Sequence, residues 1–116
     1  MTPLLTLALL LALTTPAVAQ ALTQFSWTPG VVDATHQAAT SYTVKCGTAT
    51  GGPYTLTRTV AGTPLSLTIP INQVVTAAGR YFCIVTATNA GGESGNSNEV
   101  TFSFAPPNAP TGFQVN

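Results

Sequence analysis

The run Tyr81-Phe82-Cys83-Ile84-Val85-Thr86-Ala87-Thr88-Asn89-Ala90-Gly91-Gly92-Glu93-Ser94-Gly95-Asn96-Ser97-Asn98-Glu99-Val100 decides how this 116-residue chain is read. Successive side chains of an extended strand point to opposite faces, so Tyr81, Cys83, Val85 and Ala87 share one apolar face of a strand over 80–88. Gly91-Gly92 punctuates its end, and another strand is expected over 98–104. Outward from there, Val, Ile, Thr, Tyr and Phe recur in short alternating runs over 22–28, 41–47, 53–60 and 65–71, separated by Pro29-Gly30 and Gly51-Gly52-Pro53. Six strands without helical periodicity predict an all-β sandwich or barrel. Alternation places Trp27, Tyr42, Val44, Leu67, Ile69, Tyr81 and Val85 in its core.

Residues 4–13 form an apolar run that suits a signal-peptide core and is too short for a membrane-spanning helix. Ala17-Val18-Ala19 supplies a small-x-small cleavage pattern, so residues 1–19 are expected to be a signal peptide and the mature chain to start at Gln20. The mature protein is then secreted, extracellular or at a cell surface, with a bacterial periplasm as a transit compartment. In that oxidising setting Cys46 and Cys83 read as one disulfide.

Charge narrows the function classes. Three acidic residues (Asp33, Glu93, Glu99) face three dispersed cations (Lys45, Arg58, Arg80), for a net charge of zero. Nucleic-acid and anionic-membrane binding need clustered Lys or Arg, so neither partner is expected. Near-neutrality also removes the repulsion that keeps monomers apart. The acids fall in separate segments and His36 is the one histidine, so no enzyme, catalytic residue, metal site or cofactor is expected.

Three segments resemble a fibronectin type III domain: Trp27-Thr28-Pro29, Tyr42-Thr43-Val44 and, most specifically, the Tyr81–Val100 run with its Tyr-x-x-x-Val-x-Ala-x-Asn, Gly-Glu-Ser and Ser-Asn elements. The resemblance implies a two-sheet antiparallel β-sandwich over 20–104, following the signal peptide. It implies a corner role for Tyr81, with its ring inward and its hydroxyl bonded to the preceding turn. It also places Cys46 and Cys83 on adjacent strands of one sheet, where closure of the intervening loop is worth roughly 3 to 4 kcal/mol.

The family's first strand is commonly introduced by Pro-x-Ala-Pro-Thr-Gly and a hydrophobic residue. Here only Gln20 and Ala21 would precede Leu22, whereas Pro107-Asn108-Ala109-Pro110-Thr111-Gly112-Phe113-Gln114-Val115, within the proline-rich segment 105–116, looks like that strand. In the family's geometry the tail would have to return about 30 Å along the sandwich. Ala105–Asn108 spans at most about 14 Å, and Pro106-Pro107 stiffens it. The expectation is therefore a non-enzymatic extracellular structural protein, a head-to-tail homopolymer in which the tail of one subunit completes the next. Its subunit interface would use Pro110, Phe113, Val115, Leu22 and Phe25. The alternative is a monomeric secreted fibronectin type III binding or spacer module with a protein or carbohydrate ligand, Asp33, His36 and Tyr54 being its loop candidates.

Overall fold

The computed structural model describes residues 23–116; the expected signal peptide over 1–19 and the interface candidate Leu22 lie outside the described residues. Seven strands follow in order: β1 (Gln24–Ser26), β2 (Ser41–Gly47), β3 (Leu56–Ala61), β4 (Thr68–Pro70), β5 (Gly79–Asn89), β6 (Gly92–Glu93) and β7 (Val100–Phe104). A single 3-10 turn, Ile71–Gln73, links β4 towards β5. All pairings are antiparallel, and the chain is an all-β protein of two sheets, compatible with a β-sandwich. The small sheet is β1-β4; the large one runs β3-β2-β5, with β7 beside the first half of β5 and β6 beside its end.

The observed β2 matches the sequence expectation residue for residue, because Tyr42, Val44 and Cys46 alternate cleanly against a polar face. The hairpin to β3 closes tightly at Gly47, where an added Cβ would meet the Pro53 carbonyl oxygen at 2.1 Å, so only glycine fits. Between β6 and β7 two serines replace a regular ladder. Ser94 N–H donates to Ala87 O (2.7 Å) while its Oγ accepts from Ala87 N–H (2.9 Å). Ser97 repeats this with Val85, at 3.0 and 2.9 Å. The Gly-Glu-Ser and Ser-Asn elements thus keep residues 94–98 alongside β5 without forming a strand.

Val44, Cys46, Ile69, Tyr81 and Cys83 are buried in the core. Cys46 lies directly opposite Cys83 in the β2–β5 register, and the two form a disulfide across the central strands. Trp27 and Val85 are half-buried against this cluster, and Trp27 packs on Tyr42 with ring centroids 5.4 Å apart. Leu67, expected in the core, is 36 % exposed. It precedes β4 and lines an open concavity at that pole, shared with Tyr42, Ala87 and the Pro29–Ala39 loop, where it is only partly covered. The 3-10 turn and its successors fill the opposite pole instead: Ile71, Val74 and Val75 are buried, in a segment whose core role period-2 alternation does not predict.

Tyr81 takes the corner position, its hydroxyl donating to the Ala77 carbonyl at 2.6 Å. Tyr81→Phe keeps the ring and deletes that bond. The expected loss is about 1 kcal/mol, or roughly 4 to 8 °C in Tm for a domain of this size, measurable by thermal unfolding; an unchanged Tm would mean that the hydroxyl is not structurally engaged.

Candidate functional site

Two sheets of unequal width leave one flank of the sandwich open. β1 pairs only with β4, and among the described residues no strand occupies its other edge. Bonds from Ile71 N–H to Thr23 O and from Trp27 N–H to Leu67 O, each 3.1 Å, set the alternation of the ladder. Residues 23, 25 and 27 therefore turn their backbone groups to β4, and Gln24, Ser26 and Thr28 turn theirs to the open edge. Side chains alternate with them, so Phe25 and Trp27 point into the core and the edge itself is polar backbone.

Across from this edge lies a groove of about 370 Å³. One wall is Phe25 to Thr28, the other is Ser97, Asn98 and Val100, and the floor is Val44 and Cys83 to Val85. The disulfide thus underlies the groove through Cys83. Val100 is 43 % exposed on the far wall. The Trp27 indole N–H is buried without a hydrogen-bond partner among the described residues, an arrangement that costs roughly 1 to 3 kcal/mol.

The levels of the groove follow from ring packing. Phe25 meets Phe102 edge-on at 5.6 Å, and Phe102 meets Tyr81 at 5.9 Å, so the start of β1 lies beside the end of β7 and the start of β5. Trp27 with Tyr42, which pairs with Ala87, marks the other pole. The chain leaves β7 at Phe104, opposite Gly79, at the pole where β1 begins. Residues 105–116 then join no strand; Pro110 is exposed, and Phe113 and Val115 are 98 % and 96 % exposed. Of the expected interface residues, Phe25 is half-buried at the groove and the tail residues stand clear of it. Neither the groove-lining role of Ser97, Asn98 and Val100 nor the open edge of Ser26 and Thr28 is visible in the sequence, because both depend on what lies across the gap.

The loop candidates are engaged within the chain. Asp33 Oδ1 accepts from Thr35 N–H (3.0 Å) and His36 N–H (2.8 Å) and contacts His36 Nδ1 at 2.9 Å. The Tyr54 hydroxyl donates to Glu99, which also accepts from Thr50 Oγ1 (2.8 Å) and Gly51 N–H (2.9 Å), so this carboxylate ties the β2–β3 loop to the start of β7. Glu93 pairs with Lys45 Nζ at 2.7 Å and accepts from the buried Thr86 hydroxyl at 2.6 Å. Lys45, whose side chain is only 27 % exposed, lies directly opposite Ile84 in the β2–β5 register.

These bonds hold all three carboxyls below their ordinary values: Asp33 chiefly through His36, Glu93 through Lys45 and Glu99 through Tyr54. A carboxyl depressed by folding stabilises the folded state above its unfolded pKa, and that contribution vanishes as pH falls through the folded value. The Tyr54 phenol is raised above 10.0 by its bond to Glu99, so its contribution is present below that value and lost as pH rises through the higher one. Thermal unfolding across pH is expected to give a plateau from about pH 5 to pH 9 with the steeper loss in acid; a stability maximum below pH 4 would contradict it.

A second concavity, of about 830 Å³, occupies the Trp27 pole and begins at Pro29, where the groove ends. Val31 and Val32 border it, 85 % and 57 % exposed. Among the described residues no group of three or more His, Cys, Asp or Glu could hold a metal ion, and no helix is long and apolar enough to cross a membrane. Comparison with protein-family models, curated proteins and solved structures finds no match for the chain.

Proposed function

We propose that this is a secreted, fibronectin type III-like structural subunit that polymerises head to tail, the segment Pro110–Asn116 of one copy adding a strand to the open edge of β1 in the next. The observation that carries the reading is the pairing of an unoccupied, core-deep groove beside β1 with an alternating apolar tail that packs on nothing. An extended segment laid on a free sheet edge gains backbone bonds from the edge and side-chain burial from the groove. The unpartnered Trp27 indole, on a wall that another segment would complete, supports the same reading.

The register follows from the edge. Gln24, Ser26 and Thr28 supply its backbone groups, and the incoming strand must turn Phe113 and Val115 inward. Antiparallel pairing of Gly112 with Thr28, Gln114 with Ser26 and Asn116 with Gln24 satisfies all three and sets Phe113 beside Trp27 and Val115 beside Phe25. Shifting by two residues would put Pro110, which lacks an N–H, opposite Thr28, leaving its carbonyl unpaired.

Closure onto the chain's own groove is disfavoured. An antiparallel strand must enter at the Thr28 pole, whereas the tail departs at the other. Eight residue steps of β5, from Gly79 to Ala87, separate the two levels, about 27 Å. The eight steps from Phe104 to Gly112 reach at most about 26 to 29 Å fully extended, which leaves nothing for the two reversals of direction that departure from β7 and antiparallel entry at the far pole require. Parallel entry from the near pole would require the chain to reverse within residues 105–112, where Pro106, Pro107 and Pro110 favour extended backbone. A contact that passes to a neighbour without closing generates a filament.

Negative-stain microscopy of the secreted chain is expected to reveal fibres, and deletion of Pro107–Asn116 to leave dispersed, less stable monomers. Dispersed full-length chain, or fibres from the deleted chain, would overturn strand donation and leave the monomeric binding or spacer module as the better reading.

A further inference from the structure

We infer that the concavity at the Trp27 pole is the seat of the Ala105–Ala109 linker of an incoming second copy of this chain. The inference rests on the strand-donation reading and adds the surface that orients one subunit on the next.

Direction requires a path over this pole. A strand antiparallel to β1 reaches Thr28 first, so the residues ahead of Gly112 must cross the region beyond Thr28, where the groove gives way to the concavity at Pro29. Continuing the register, Pro110 stands level with Gly30, Ala109 with Val31 and Asn108 with Val32. Those two valines are the exposed apolar residues of the Pro29–Ala39 loop, and Leu67 adds a third apolar surface from across the concavity.

The loop is prepared for this role. Immediately after Val32 the Asp33 carboxylate accepts from the backbones of Thr35 and His36, and Asp33 N–H donates to His36 O at 3.1 Å. That closed turn holds Val31 and Val32 outward with no partner for their side chains among the described residues. Their complement is an uncharged segment of two alanines, two prolines and Asn108, whose stiffness limits the entropy lost on docking. The Pro106-Pro107 pair would then serve as a rigid joint between subunits as well as a barrier to self-closure.

The test uses the secreted full chain carrying Phe113→Asp and Val115→Asp, which retains its groove and cannot donate. Synthetic peptides of residues 105–116 and 110–116 are titrated against it, with fluorescence of Trp27, the one tryptophan, as readout. The longer peptide is expected to bind roughly tenfold more tightly, and Val31→Ser with Val32→Ser in the acceptor to abolish that advantage while leaving the short peptide's affinity and the Tm unchanged. Equal binding of the two peptides overturns the seat while strand donation stands. Failure of both peptides to bind overturns strand donation, and the seat with it.

Discussion

If the proposed strand donation holds, replacing Phe113 and Val115 together by aspartate is expected to keep the chain monomeric at concentrations where donation would assemble the unaltered chain, weakening subunit association by about 10²- to 10⁴-fold. Each anchor contributes roughly 1.5 to 3 kcal/mol when fully buried, and every 1.4 kcal/mol is about a factor of ten in affinity. The aspartates add a desolvation cost on entering a groove floored by Val44, Cys83 and Val85. Both positions are almost wholly exposed in the isolated chain, so the double variant should unfold at the same temperature as the unassembled full chain and the tail-deleted chain, below that of fibres stabilised by strand addition. That separation makes the result informative: sedimentation velocity reports the lost association while calorimetry reports an intact fold. Fibres persisting in the double variant would place the subunit contact elsewhere.

Removing the disulfide by Cys46→Ala with Cys83→Ala is expected to cost the domain roughly 3 to 4 kcal/mol through the unfolded chain's regained freedom across a sequence separation of 37. Against a total stability of about 5 to 15 kcal/mol this is a large share. At about 4 to 8 °C per kcal/mol the drop in Tm would be roughly 12 to 32 °C. The bond joins facing residues of β2 and β5, the two central strands of the large sheet, and both sulfur-bearing residues are essentially inaccessible. Reductant should therefore act slowly on the folded protein. Because Cys83 also floors the groove, the variant is expected to bind the tail peptide more weakly even at temperatures where it remains folded. A Tm lowered by less than about 5 °C would mean that the cross-link constrains little that the ladder does not already constrain.

Much of the architecture was legible in period-2 alternation. The strand over 41–47 is bounded to the residue by strict alternation, whereas the strand around Tyr81 is legible from its continuous run of apolar and β-branched residues, which is buried on both faces at Cys83, Ile84 and Thr86. Where alternation weakened, so did the reading. The stretch Ile71 to Val75 packs its apolar side chains from a 3-10 turn and loop, a geometry with no two-residue period, and so its place in the core went unnoticed. Leu67 has the right spacing from Ile69, yet lies at an open concavity where it is only partly covered. Tyr54 looked like a free loop residue because Glu99, its partner, is 45 residues away in the chain.

The sequence by itself determined the strand class of the domain, the pairing of its two cysteines and the alternating apolar character of the Phe113–Val115 tail, since these depend on side chains within a few residues of one another or on there being only two thiols. Tertiary structure alone decided that Ser97, Asn98 and Val100 face Phe25 to Thr28 across an open groove, and at which pole the tail departs. An unoccupied edge is a relation between strands distant in the chain, set by which backbone groups the ladder leaves unpaired, and a pattern local to one segment carries no record of it.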